Sequence, residues 1–416
     1  MEIKVKNKNY LGINSLGRIG KLVLWHQLAK RSFDGVVINL GRKVGKNIED
    51  LIQTIENDTT YGPMGKFLYG INSTGSIVKV VDKEKFLFEI GGMPVKVLTS
   101  ERNPKNITWK NEDVRIVIDC TGQYVDPTIQ FDDPKGSLRG HLVGGAQKVI
   151  LSAPFKIKDK SAKMPDDSSM MVYGINHLEY NPEKHHILSA ASCTTTGLSH
   201  MIKPLLEDKE SSNILTTSMS TVHASTNTQS VLDSVPKDGA SDLRKTRSVL
   251  NNIILSTTGA AKALESILPQ IQEIGFMADS VRIPTNTVSL LILNITFSAG
   301  LDEKGNPIIN RKYLNNIYMK AASGSQKDML VFSERQNVSS DLTGFKASVV
   351  IEGHETHTRT GFIKIPAEML ESYGMKDSKS IQLPVTHAKI FGWYDNEYGS
   401  YVNTLSALAD YISKKI

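Results

Sequence analysis

One thiol in this chain stands among hydroxyls at an apparent helix start, in Ala191-Ser192-Cys193-Thr194-Thr195-Thr196-Gly197. The unpaired N–H groups and dipole of a helix N-terminus favour an anion, which lowers a thiol's pKa and makes it a nucleophile. An arbitrary free cysteine is more often an inert core residue, and the polar flanks and helix-start placement set Cys193 apart from that default. A nucleophilic thiol also needs a base. His223, in Thr221-Val222-His223-Ala224 at the end of a strand-like run, supplies an imidazole in the following segment. A single histidine by itself reads as structural, and only its pairing with the cysteine raises it. Downstream lie Arg244, Arg247 and Arg282, with Thr226-Asn227-Thr228 and Ser256-Thr257-Thr258-Gly259. Arginine forks, hydroxyls and backbone N–H groups suit phosphate oxygens, although each arginine alone is equally a surface ion pair.

A second chemical feature lies near the N-terminus. Asn14-Ser15-Leu16-Gly17-Arg18-Ile19-Gly20 follows a strand and opens a helix. Gly17 and Gly20 sit where a G-x-G-x-x-G turn places its second and third glycines. The former would let the backbone approach a pyrophosphate, and the latter would let helix and strand pack closely. Ser15 takes the first glycine's place, so the fingerprint is incomplete and an ordinary glycine turn is an equal reading. At the end of the second strand, Ile38-Asn39 runs into Leu40-Gly41-Arg42-Lys43, with no carboxylate before Glu49. Leu40 cannot accept hydrogen bonds from a ribose 2′-hydroxyl. Arg42 and Lys43 suit a 2′-phosphate and hence NADP, or they are solvated loop charges. An insertion that brings Glu49 or Asp50 to the ribose stays open.

The elements that must position these groups read as a two-domain α/β protein. Asn9 to Ile13 is a strand, Gly17 to Ala29 a helix and Gly35 to Leu40 a second strand, the first half of a doubly wound Rossmann-type domain. Apolar runs at 114–119 and 148–152 end in small residues, as strands do where open parallel sheets bind ligands. After Cys193 a helix over 195–206 precedes strands over 215–223, near 281–298 and over 346–352. The tail from Tyr401 to Lys415 carries a helical stripe at Val402, Leu405, Leu408, Ala409 and Ile412. The expected division is a cofactor domain over 1–192, completed by a C-terminal helix over 396–416, and an α+β catalytic domain over 193–395 with a mostly antiparallel sheet.

Composition narrows the class. The chain has 416 residues, 40% hydrophobic and 22% charged, with a net charge of +6, so nucleic-acid binding is not predicted. The apolar run 288–295 is too short to span a bilayer, the N-terminus has no signal-peptide pattern, and a cytoplasmic protein is expected. Two cysteines, Cys120 and Cys193, form no disulfide framework. Residues 156–169 read as a polar loop. His354 and His357 lack a third ligand, and no metal site is expected.

These blocks, in this order, resemble phosphorylating glyceraldehyde-3-phosphate dehydrogenases over nearly the whole chain. The matching pieces are Asn14 to Gly20, Asn57 to Gly62, Cys120-Thr121-Gly122, Ser152-Ala153-Pro154, Gly174 to His177, Ala191 to Thr195 and Val222 to Gln229. Ser256 to Lys262, Val281 to Thr285 and Trp393-Tyr394-Asp395-Asn396-Glu397 complete them. The resemblance implies Cys193 as nucleophile and His223 as its base. It puts Thr226 and Arg282 at the substrate's phosphate, and Ser192, Thr194, Thr258 and Gly259 at the attacking inorganic phosphate, with Arg247 close to both. Gly17, Arg18, Ile19 and Thr121 belong to the cofactor site, and Asn396 would hold the nicotinamide carboxamide. NAD or NADP is the implied cofactor, a phosphorylated aldehyde the substrate, and glycolysis the setting. The implied partner is a homotetramer, through the loop from Leu232 to Leu243. Ser400 departs from the family's aromatic residue near the nicotinamide, and the stretch 341–387 is enlarged. Two other readings stand: an erythrose-4-phosphate dehydrogenase releasing a free acid, and a catalytically weak paralogue with a binding or regulatory role, acting on RNA through its nucleotide cleft.

Overall fold

The computed structural model describes residues 8–73, 75–375 and 379–416. It divides into two compact units, residues 1–193 with 397–416, and residues 194–396.

In the first unit, β1 (Tyr10–Asn14) leads through a tight turn into α1 (Arg18–Lys30) and then β2 (Gly35–Asn39). Next come α2 (Ile48–Glu56), a two-residue ladder of β3 (Asn57–Asp58) and β4 (Gly62–Pro63), and α3 (Met64–Tyr69). Strands β5 (Val78–Asp82), β6 (Leu87–Ile90), β7 (Met93–Leu98) and β8 (Val114–Asp119) follow. Helix α4 (Leu138–Val143) precedes β9 (Lys148–Leu151), β10 (Ser168–Met170) and β11 (Ile187–Ser189). The nine-stranded sheet runs β10-β11-β9-β8-β1-β2-β7-β6-β5, parallel from β10 through β7 and antiparallel beyond. The strand order reverses on either side of β1, which opens a crevice at the carboxyl ends of β1, β2 and β8.

This is the doubly wound domain expected, and burial explains its strand composition. Val36 and Ile38 enter one core with Leu11, Ile13, Leu22 and Trp25, while Val37 enters another with Trp109 and Val117. A strand buried on both faces must be apolar throughout, which is why Val36-Val37-Ile38 shows no alternation.

In the second unit, α5 (Cys193–Glu207), whose first residue belongs to the first unit, precedes β12 (Ile214–Ala224), β13 (Ile254–Ser256) and α6 (Ala260–Ile267). Strands β14 (Gly275–Ile283) and β15 (Ser289–Ser298), helix α7 (Arg311–Ser323), β16 (Leu330–Ser333) and β17 (Val349–Glu352) follow. The last elements are β18 (His357–Ile365), α8 (Ala367–Ser372) and β19 (Ile381–Tyr394). The sheet runs β13-β14-β12-β15-β19-β17-β16, with β18 also on β19. It is antiparallel except at β12–β14 and β16–β17. Leu291, Leu293, Ile295 and Phe297 of β15 are buried in alternation, the period-two pattern of a sheet with one covered face. Helix α5 covers that face: a Cβ on Gly197 would come 3.1 Å from Leu291, and α7 is pinned to α5 by the Tyr318 hydroxyl on the Met201 carbonyl, 2.9 Å.

Within the 341–387 stretch, β18 and β19 form a hairpin arm. β18 pairs with β19 from His357↔Lys389 to Ile365↔Ile381, beyond the point where β15 stops at Ser298↔Val385. His354 and His357 both turn to the Glu355 carboxylate, at 3.1 and 3.4 Å. The polar 156–169 stretch is irregular apart from Ser168 and Ser169 at the start of β10.

The tail contains the clearest departure from a simple helix. Tyr398–Val402 forms a π-helical turn, and only then does α9 (Asn403–Ser413) begin.

Candidate active site

In the first unit, β1 and β8 finish in register at Asn14↔Asp119, and β1 and β2 at Asn14↔Asn39. Their polar side chains form a buried chain under the crevice. Asn39 donates to Asn14 at 2.9 Å, and Asn14 donates to the Asp119 carboxylate at 2.8 Å. The Trp109 indole can only donate, so His141 Nδ1 accepts from it at 2.9 Å and Nε2 faces Asp119 at 3.1 Å. Burial opposes the Asp119 charge, but His141, Thr121 and Asn14 outweigh it and hold the carboxyl below its usual range.

The turn above this chain is built for close approach. Ser15 has φ +86°, a left-handed conformation that normally asks for glycine, which accounts for the glycine usually found there. A Cβ on Gly20 would fall 2.0 Å from the Ser15 carbonyl oxygen, so Gly20 is required for the helix to pack on the strand. A Cβ on Gly17 would meet only Ser15 Oγ, at 3.8 Å, so the exposed side of that glycine is open to a ligand.

Arg18 opens α1 directly after this turn. Its guanidinium pairs with Asp58 and with both oxygens of Glu397, so the side chain is committed to structure and only its backbone is left to serve the turn. Lys21 also reaches Asp58, at 2.8 Å, and Tyr61 accepts the Tyr398 N–H at 3.1 Å. Ile19 packs against the core. Thr121 turns both its N–H and its hydroxyl, at 3.0 and 2.6 Å, to Asp119.

β2 stops at Asn39, so Leu40 does follow the strand directly. Glu49 is exposed and pairs with Lys83, and Asp50 closes the turn at Lys46 N at 2.6 Å. Arg42 and Lys43 are exposed. The loop after β7 adds two residues that reading along the chain missed. Asn39 donates to the Glu101 carbonyl at 3.0 Å, and Arg102 donates to the Gly41 carbonyl at 3.2 Å. They lie some sixty positions away in sequence, so only sheet pairing brings them to the strand end.

The two thiols differ in kind. Burial and then the Asp119 carboxylate push the Cys120 thiol far up, so it stays protonated. Cys193 is the first residue of the fifteen-residue helix α5, at the end whose dipole favours a thiolate.

In the second unit, the register His223↔Arg282 places imidazole and guanidinium side by side at the ends of β12 and β14. Arg282 Nη1 stands 2.5 Å from His223 Nδ1, and the Ala224 carbonyl is 2.7 Å from the same nitrogen. Burial first, and then the Arg282 charge, push the His223 imidazolium down to about 3, against the opposing pull of the Ala224 carbonyl. The ring is therefore neutral at ordinary pH. Tyr394 joins this group: its hydroxyl lies 3.0 Å from Thr194 Oγ1 and 2.8 Å from Thr221 Oγ1, and its ring stands edge-on to His223 with centroids 6.0 Å apart.

Thr226 is exposed just beyond β12, with its hydroxyl on Gln229 at 2.9 Å. Ile254, not Ser256, is the residue of β13 opposite Arg282, so Thr258 and Gly259 leave that strand on the side away from the guanidinium. Arg247 is exposed and paired with Asp233 at 2.8 Å, a contact that costs little to break. Asn396 Oδ1 accepts from Ser289 at 3.0 Å, which orients the carboxamide.

The comparisons with known proteins fall on these same blocks. A family model described as the glyceraldehyde 3-phosphate dehydrogenase NAD binding domain matches residues 9–127, and one for the C-terminal domain of that enzyme matches residues 192–396. The glyceraldehyde-3-phosphate dehydrogenase of Streptomyces coelicolor is 35% identical over 329 residues, 79% of this chain and 80% of that protein. The cytosolic enzyme of Chlamydomonas reinhardtii is 31% identical over 99% of this chain and 98% of its own. The chain belongs to the glyceraldehyde-3-phosphate dehydrogenase family.

A nicotinamide dinucleotide fits the first unit of this family member. The N-terminus of α1 has no side-chain cap and no acidic residue in its first turn, and Gly17 is open above it. Such a terminus accepts a pyrophosphate without rearrangement.

Each residue of the family block Trp393 to Glu397 proves to have its own task. Trp393 donates to Glu352 at 2.8 Å, and Tyr394 bridges Thr194 and Thr221. Asp395 accepts from Thr287 and from the Gly344 N–H, Asn396 accepts from Ser289, and Glu397 holds Arg18. The buried Asp58 is the other anchor of Arg18. Burial opposes its charge, but Lys21, the Thr60 and Tyr61 N–H groups and Arg18 overcome this and lower its pKa. Asp58→Asn is expected to cost about 2–3 kcal/mol of stability at pH 7, read from the urea-unfolding midpoint. A depressed carboxyl contributes fully above its unfolded pKa near 4 and loses that contribution as pH falls through its folded value, so the gap between wild type and variant should close in acid.

Proposed function

We propose that this protein oxidises glyceraldehyde 3-phosphate to its acyl phosphate with a nicotinamide cofactor and inorganic phosphate. The observation that carries this reading is Cys193 at the start of α5 in a chain whose second unit holds a neutral, buried His223 beside Arg282. The Cys193 thiolate adds to the aldehyde carbon, forming a thiohemiacetal whose oxygen takes up a proton. His223 removes that proton as the carbon gives up hydride, and a thioester on Cys193 remains. The nicotinamide cofactor supplies the hydride acceptor. Inorganic phosphate then attacks the thioester carbon, the C–S bond breaks, and the thiolate returns as the acyl phosphate leaves.

The binding roles follow by position. Arg282 and Thr226 hold the substrate's own phosphate, for which Arg282 must turn from His223. Ser192, Thr194, Thr258 and Gly259 hold the inorganic phosphate, and Arg247 serves either once released from Asp233. Asn396 presents its amide to the nicotinamide carboxamide. Leu40 in place of a ribose carboxylate, with Arg42, Lys43 and Arg102 around the strand end, supports use of NADP beside NAD. Among the described residues no helix is long and apolar enough to cross a membrane, and a cytoplasmic place suits a free thiol. Val231, Leu232, Val235, Leu250 and Ile253 are exposed in the loop between β12 and β13, which supports a homotetramer that covers them.

Steady-state assays with each cofactor, with and without phosphate, test the reading. Turnover with glyceraldehyde 3-phosphate should require inorganic phosphate (or arsenate as its substitute), and kcat/KM for NADP should lie within about ten-fold of that for NAD, one or two charge-assisted contacts' worth. Equal rates of cofactor reduction without phosphate would replace the phosphorylating reading with a hydrolytic one, such as oxidation of erythrose 4-phosphate. A strong NAD preference would dismiss the role given to Arg42.

A further inference from the structure

The turn that delivers Cys193 to its helix is held by a side chain that no motif assigned. Ala191 has φ +55°, a left-handed conformation that costs a residue with a Cβ about 1 kcal/mol or more and persists only where neighbours impose it. Both of its backbone polar groups are tied inside the first unit. Its N–H donates to Ser189 Oγ at 3.1 Å, and its carbonyl accepts from the Tyr401 hydroxyl at 3.0 Å. Ala191 is fully buried and Tyr401 is nearly so, so no solvent replaces either bond.

Tyr401 reaches that carbonyl from the π-helical turn Tyr398–Val402. An i→i+5 turn holds one more residue than an α-turn, and such single turns are frequent at functional sites. Ser400 had marked the place where an aromatic residue was missing. In the structure Ser400 is wholly buried and its carbonyl accepts from Thr404 at 2.8 Å. Burial first, and then the Cys193 and Cys120 thiols, raise the Tyr401 phenol well above its ordinary pKa. It therefore stays a hydrogen-bond donor, within electrostatic reach of Cys193.

We infer that Tyr401 is a positioning residue for Cys193, fixing the Ala191–Ser192 peptide and with it the direction of the Ser192 N–H that precedes the thiol. A peptide unit is planar, so a carbonyl held on one side aims the N–H on the other. Without the phenol, the buried carbonyl loses its partner, and rotation of this strained peptide is the least costly relief. That rotation would redirect the backbone entering α5 and weaken stabilisation of the thiolate. The inference rests on Cys193 being the nucleophile.

Tyr401→Phe in the full chain tests it, since it deletes one hydroxyl and keeps the ring. The rate of iodoacetamide alkylation at Cys193 is measured against pH without substrate. The inflection should rise by about one pH unit and the rate at pH 7 should fall by about ten-fold, the size of one buried hydrogen bond. Ser189→Ala, which releases the other side of Ala191, should shift the profile in the same direction by less, and it decides the matter if the phenylalanine variant does not fold. Profiles superimposable on wild type would overturn the inference. A wild-type Cys193 no more reactive than an ordinary thiol would instead remove the nucleophile reading on which it stands.

Discussion

Cys193→Ser should lose turnover by at least about 10 000-fold while its unfolding midpoint stays within a degree or two of wild type. The substitution exchanges sulfur for oxygen at the first residue of α5 and disturbs little packing. It removes the one atom that a helix N-terminus can hold as an anion near neutral pH, because a serine hydroxyl stays protonated there. The second cysteine offers no relief, since burial and Asp119 keep the Cys120 thiol protonated. Mass spectrometry after mixing with aldehyde and cofactor in the absence of phosphate should show an acyl adduct on wild type and none on the variant. Residual turnover above about 1% of wild type would assign the chemistry to another group.

His223→Asn should reduce kcat by about 100- to 10 000-fold, the range of a general base, with a smaller change in KM. The pH behaviour adds a second readout. Burial and Arg282 hold the imidazolium down to about 3, so the folded ring resists protonation while an unfolded histidine takes up a proton near 6.5. Stability from this residue is therefore complete above about pH 6.5 and is lost as pH falls toward 3, at up to about 1.4 kcal/mol per unit. The asparagine variant should lack that part of the acid sensitivity, measured as the denaturation midpoint between pH 7 and 4.5. Arg282→Gln removes the neighbouring charge, and ring-proton NMR should then show the His223 pKa moving up. An unmoved pKa would mean that burial alone sets it.

Local sequence carried the elements well where a single physical signal dominated. Ile116 to Ile118 is apolar because that strand is buried on both faces, and the strand read over Val114 to Asp119 has the observed bounds. The tail was harder. Its apolar stripe was legible as a helix, but the π-turn was not, since a shift of one residue leaves the spacing at Leu405, Leu408 and Ile412 intact. Arg18 shows the same limit. Its place in the nucleotide turn was legible, but nothing nearby in sequence shows that Asp58 and Glu397 hold its guanidinium.

Residue types and their order determined the family, the doubly wound first unit and the mainly antiparallel second sheet, and singled out Cys193 and His223 as the candidate thiol and imidazole. Those follow from periodicity and from chemistry that few side chains can do. The tertiary structure alone decided which polar groups are committed to one another. Strand register put Arg282 against His223, loop packing put Arg102 beside Gly41, and a widened helical turn put Tyr401 on the Ala191 carbonyl. Each of these depends on a hydrogen bond between residues far apart in the chain, whose geometry is set by packing and not by either residue's neighbours.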